Sequence, residues 1–100
     1  MREVFRNELD DLATQLVGMS AKVLDAIRLA NQSLHSNDLE LAEQVIEADS
    51  VIDNMQFTLD QQAAEMLALQ APVAADLRAV IGSLRMSASL ERMGDLARHI

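Results

Sequence analysis

From Phe5 to Leu34 the apolar side chains return every four or three residues: Phe5, Leu9, Leu12, Leu16, Met19, Val23, Ile27 with Ala26, Ala30 and Leu34. Such a register marks one face of a helix and favours long helices crossing at shallow angles. The chain repeats this twice. Ala42, Val45, Ile52, Leu59, Ala63 and Met66 form a second seam, and Val73, Leu77, Val80, Ile81, Leu84 and Ala88 a third. Between the first two seams lies Ser36-Asn37-Asp38, where Asn37 or Asp38 can cap a new helix and Glu40 and Glu43 favour its N-terminus. Between the second and third lies Ala71-Pro72. The residue before a proline avoids helical backbone, whereas proline suits the first turn of the next helix. β-Branched residues, Gly and Pro are too scattered for strands. The spacing therefore predicts helices over about 3–35, 38–70 and 73–100: an all-α, elongated antiparallel three-helix bundle, about 45–50 Å long.

Composition narrows what such a bundle can do. Half of the 100 residues are hydrophobic, but Phe5 and Phe57 are the only aromatics, so the core is aliphatic. The absence of cysteine excludes disulfides, thiolate metal sites and cysteine nucleophiles. A net charge of −8 argues against a nucleic-acid backbone as main ligand. No apolar run approaches the length of a membrane span, and Met1-Arg2-Glu3-Val4 opens no signal-peptide hydrophobic region. A cytoplasmic location is expected. Asp95-Leu96-Ala97-Arg98-His99-Ile100 shows no helix stop, so the single bundle is expected to be truncated within helix 3.

Two seams carry carboxylates where apolar residues belong. On helix 2, Val45 leads to Asp49 and then Asp53; on helix 3, Leu84 and Ala88 lead to Glu91 and Asp95. Each pair is spaced i,i+4 and so shares one helix face. Counted from Ala71, Asp49 and Asp53 lie 22 and 18 residues before and Glu91 and Asp95 20 and 24 after. In an antiparallel hairpin the two pairs stand at similar height, roughly 30 Å from the turn. Converging carboxylates repel unless something positive lies between them. A metal ion held by Asp49, Asp53, Glu91 and Asp95 meets that demand. The oxygen-only donors suit magnesium, manganese, calcium or ferric iron, with zinc possible. The competing account is an ion-pair network with Arg85 and Arg92, which with Arg78 recur every seven residues along helix 3. That stripe is a solvated face or a docking strip for an acidic partner.

Other residues fit structural roles. His99, four residues past Asp95, is a surface residue or a further ligand; His35 is a helix-end residue favoured by the dipole. Met19, Met55, Met66, Met86 and Met93 read as core fillers, and Gly18, Gly82 and Gly94 as points of close helix approach. Gln56 is a second polar intruder on the helix 2 seam, and Glu8, Asp11 and Asp25 lie opposite the helix 1 seam. No nucleophile–base constellation or phosphate-binding glycine loop is present, so no catalysis is expected. A di-iron Glu-x-x-His motif is lacking, because Gly94 follows Glu91 at the third position.

Gln70-Ala71-Pro72-Val73-Ala74-Ala75-Asp76-Leu77-Arg78, followed by Leu90-Glu91-Arg92-Met93-Gly94-Asp95, resembles the signature of the PhoU family. Asp49-Ser50-Val51-Ile52-Asp53 and Glu91-Arg92-Met93-Gly94-Asp95 resemble its Glu/Asp-x-x-x-Asp metal motifs, and Met1-Arg2-Glu3-Val4-Phe5 also fits. The resemblance spans essentially the whole chain. It implies one of two similar three-helix bundles, binding multinuclear clusters, often of iron. It implies a negative regulator of phosphate uptake that links a phosphate ABC transporter ATPase to a phosphate sensor histidine kinase, peripheral to the inner membrane. Only one such bundle is expected in this chain, cut inside its third helix, without the second repeat. The alternative expectation is a structural bundle that self-associates through apolar faces, its acids paired with arginines.

Overall fold

The computed structural model describes residues 2–36, 38–70 and 74–99. Three helices account for them: α1 (Arg2–Ser36), α2 (Leu39–Gln70) and α3 (Ala74–His99). These match the expected bounds to within about a residue. Asp38 acts as the N-cap of α2: its carboxylate accepts the Glu40 amide at 2.9 Å, and its carbonyl accepts the Ala42 amide at 3.2 Å. At the other end of α1, the His35 Nδ1 lies 2.8 Å from the Asn31 carbonyl, where a helix C-terminus favours a donor. Asn37, Ala71, Pro72, Val73 and Ile100, which enter the expectations above, lie outside the described residues.

Each helix packs against the other two in a rod 53 × 16 × 16 Å. Side-chain pairs fix the directions. Gln15 bonds Gln62 and Glu8 bonds Gln70, so α1 and α2 are antiparallel. The Ser87 hydroxyl of α3 lies 3.8 Å from the Met19 sulfur of α1. The core is largely the expected aliphatic one, joined by Phe5, with Leu12, Met19, Ile52, Leu59, Met66 and Val80 fully buried. Each such side chain contributes about 1.5–3 kcal/mol by leaving water.

The α2 seam lies as expected: Val45, Asp49, Ile52, Leu59, Ala63 and Met66 are buried, with Ala42 and Gln56 half-buried. The other two need correcting. In α1, Ala26 is buried while Ile27 and Leu34 are exposed. In α3 the inward face is Val80, Ser87, Gly94 and Ala97, whereas Leu77 and Ile81 are 38% and 36% exposed. A helix in a three-helix bundle faces two neighbours, so its central line can run between two apolar stripes. Leu77, Ile81, Leu84, Ala88, Glu91 and Asp95 form a stripe one step off that centre, and its Glu91–Asp95 end meets Asp49 of α2. Met86 and Met93 are exposed rather than core fillers; Met19 and Met66 are buried, and Met55 packs against the core. Glu8 and Asp11 do not face away from the seam. They lie at the α1–α2 margin, where Asp11 accepts the Gln62 amide at 3.0 Å and Glu8 that of Gln70 at 2.7 Å.

Candidate metal centre

Close approach of α2 and α3 begins at Gly94. A Cβ there would lie 2.9 Å from Cδ1 of the fully buried Ile52, so a larger residue would force that side chain or the helices to shift at this height. Gly94 lies between Glu91 and Asp95, and Ile52 between Asp49 and Asp53. The missing side chain therefore brings the two acidic turns together. Gly18 would place a Cβ 3.4 Å from the flexible end of Met55, whereas Gly82 would meet nothing and marks no close approach.

Asp49, Glu91 and Asp95 each present a carboxylate oxygen, all within 4.8 Å of one another. Among the described residues they form the group with the spacing of a metal site. Asp53 is exposed and stands outside this trio, beside Glu91. The sequence-expected set thus divides into three convergent acids and one flanking acid.

The electrostatics are those of a crowded acidic site. Burial pushes the Asp49 carboxyl above its ordinary pKa, and the nearby charge of Asp53 adds to this; Arg98 opposes it. Glu91 is also pushed up, first by burial and then by Asp53, both as hydrogen-bond acceptor for the protonated form and as a like charge. The counter-ion is neither Arg85 nor Arg92. Both are exposed, and with Arg78 they make no ion pair among the described residues. Arg98 takes that place, with Nε 3.2 Å from Asp49 Oδ2 and an Nη 3.3 Å from Asp95 Oδ1. Sequence signalled it weakly: Arg98 lies three residues past Asp95 and seven past Glu91, on their face of α3.

His99 is not among the converging groups. Its Nδ1 lies 2.8 Å from the Asp95 backbone carbonyl and 3.6 Å from Oδ1 of the same residue. Asp60, one turn past Gln56, was not singled out by the sequence. It is half-buried with an unpartnered Oδ1; burial raises its pKa, and the nearby hydroxyl of the fully buried Ser87 moderates the rise.

One arm of Asp49 remains without a partner. Its Oδ2 meets Arg98, but Oδ1 is buried and accepts no hydrogen bond. A buried carboxylate oxygen left so is costly. The Asp49 carboxylate, with those of Glu91 and Asp95 in its reach, fits a hard cation bound by oxygen donors.

The sequence pattern of the PhoU domain is matched by residues 16–100. The chain belongs to the PhoU family. It is 40% identical, over all 100 residues, to phosphate-specific transport system accessory protein PhoU homolog 2 of Mycobacterium tuberculosis (strain ATCC 25618 / H37Rv), of which it covers 47%. It is 38% identical over 93 residues to the PhoU homolog of Aquifex aeolicus (strain VF5), spanning 93% of this chain and 42% of that protein. With PhoU of Serratia marcescens the identity is 36% over 96 residues, 96% of this chain and 40% of the relative. The chain thus spans about half the length, or less, of these PhoU relatives. Among the described residues, no helix is long and apolar enough to cross a membrane.

Proposed function

We propose that this bundle is a non-catalytic, metal-binding part of an accessory regulator of phosphate transport. The observation that carries the metal claim is the convergence of one carboxylate oxygen each from Asp49, Glu91 and Asp95 within 4.8 Å, with Asp49 buried and its Oδ1 unpartnered. In this reading Asp49, Glu91 and Asp95 are the ligands, and Asp53 completes the set by turning toward Glu91. A bound cation supplies positive charge to a site with three or four carboxylates and one arginine. It would tie α2 to α3 at the height where Gly94 already brings them close. Iron, manganese, magnesium and zinc are the candidates, given carboxylate donors without thiolates.

The regulatory role rests on family membership and on relatives named as accessory proteins of phosphate-specific transport systems. We place the protein in the cytoplasm, peripheral to the inner membrane. There it restrains phosphate uptake and signalling by contacting a transporter ATPase and a sensor histidine kinase. Because the relatives are about twice as long, we read the chain as one of two similar bundles sharing that task. Pull-down of the transporter ATPase and of the kinase by a protein carrying both bundles tests the adaptor role. Capture of either supports it, and capture of neither contradicts it.

Arg98, bridging Asp49 and Asp95, favours a second reading in which the acids are a purely structural ion-pair network. The exposed Val17, Phe57 and Leu69 would then serve self-association. Sedimentation at high concentration separates the two readings, since a clean monomer removes self-association.

A further inference from the structure

Arg98 holds the position of a cation. Its guanidinium bridges Oδ2 of Asp49 on α2 and Oδ1 of Asp95 on α3, at 3.2 and 3.3 Å, and so already links the two helices that a metal would link. Both partners belong to the convergent trio. We propose that Arg98 is a built-in competitor for the cation site, occupying the carboxylates when metal is absent and leaving them when metal binds. The inference rests on the metal reading above and adds the residue that sets the affinity.

Three observations support displacement over coexistence. A guanidinium and a divalent cation sharing Asp49 and Asp95 would repel at short range. Arg98 has somewhere to go. Its side chain is 38% exposed and borders a cleft of about 190 Å³ formed with Ala30, Ala42, Val45 and Ala97. The charges also match both states poorly enough to permit exchange. One arginine leaves the trio two negative charges in excess, and leaves Asp49 Oδ1 unsatisfied. A divalent ion answers both demands more completely than Arg98 does.

Zinc, which is diamagnetic, and manganese(II) serve as probes of this chain. Manganese affinity is measured by calorimetry for wild type, Arg98→Gln and Arg98→Lys, each checked for helicity. Removing the competitor should tighten binding about five- to twentyfold in Arg98→Gln, with Arg98→Lys between, because a single ammonium bridges both acids poorly. In ¹⁵N spectra the Arg98 Nε resonance should move to its solvated position on zinc addition. Equal or weaker manganese binding by Arg98→Gln, or an unmoved Nε signal at zinc saturation, overturns the competition and leaves the metal reading standing. Absence of binding by wild type and Arg98→Gln alike removes both.

Discussion

Gly94 and Ile52 are in contact across the α2–α3 interface so closely that a Cβ on Gly94 would come within 2.9 Å of Ile52 Cδ1. Gly94→Ala gains about 1 kcal/mol of helix propensity but overpacks the core at a cost of about 1–3 kcal/mol. A net loss of about 1 kcal/mol is expected, with weakened metal binding as the acidic turns move apart. Gly82→Ala meets nothing and should stabilise by about 0.5–1 kcal/mol. Urea denaturation of both variants checks the opposite signs.

Ile52 is fully buried between the two acidic positions of α2. Ile52→Ala should cost about 2–5 kcal/mol, the usual range for a cavity in an aliphatic core. Val51→Ala, one position away on the exposed side, should cost well under that. Equal costs in chemical denaturation would contradict the α2 facing described above.

What was legible beforehand follows from how each feature is encoded. Helix bounds and the α2 seam are written in short-range periodicity, and they stand almost unchanged. The α3 face was misplaced because Leu77 and Ile81 are apolar whereas the true centre includes Ser87 and Gly94, which no hydrophobicity pattern would select. The convergence of Asp49, Glu91 and Asp95 is legible because acids on a seam are anomalous and matched heights bring them together, whereas Asp53 stands to one side. Arg98 is hidden in the sequence by Arg85 and Arg92, whose seven-residue stripe is the more visible pattern but faces solvent. Asp60 was missed because its partner, Ser87, becomes recognisable only once the inward face of α3 is known.

The raised carboxyl pKa values of Asp49, Asp60 and Glu91 give a pH signature. A carboxyl whose folded pKa exceeds its unfolded value contributes stability that is fullest below the unfolded pKa and declines as pH rises through the folded one. Metal-free protein in chelator should therefore gain thermal stability from these three groups as pH falls through their raised carboxyl range. With saturating manganese(II) the trend should reverse, because the ion requires ionised carboxylates. Melting curves at several pH values, with chelator and with metal, check both directions.

The central claim is that these acids hold a cation, and metal content tests it most directly. Wild type and the double variant Asp49→Ala, Glu91→Ala are loaded with manganese(II) or iron, desalted, and quantified by mass spectrometry against protein. Near-integer metal in the wild type, lost in the variant, is the predicted result. Metal-free wild type, with a variant that folds equally well, would contradict the account and leave Arg98 with its acids as an ion-pair network.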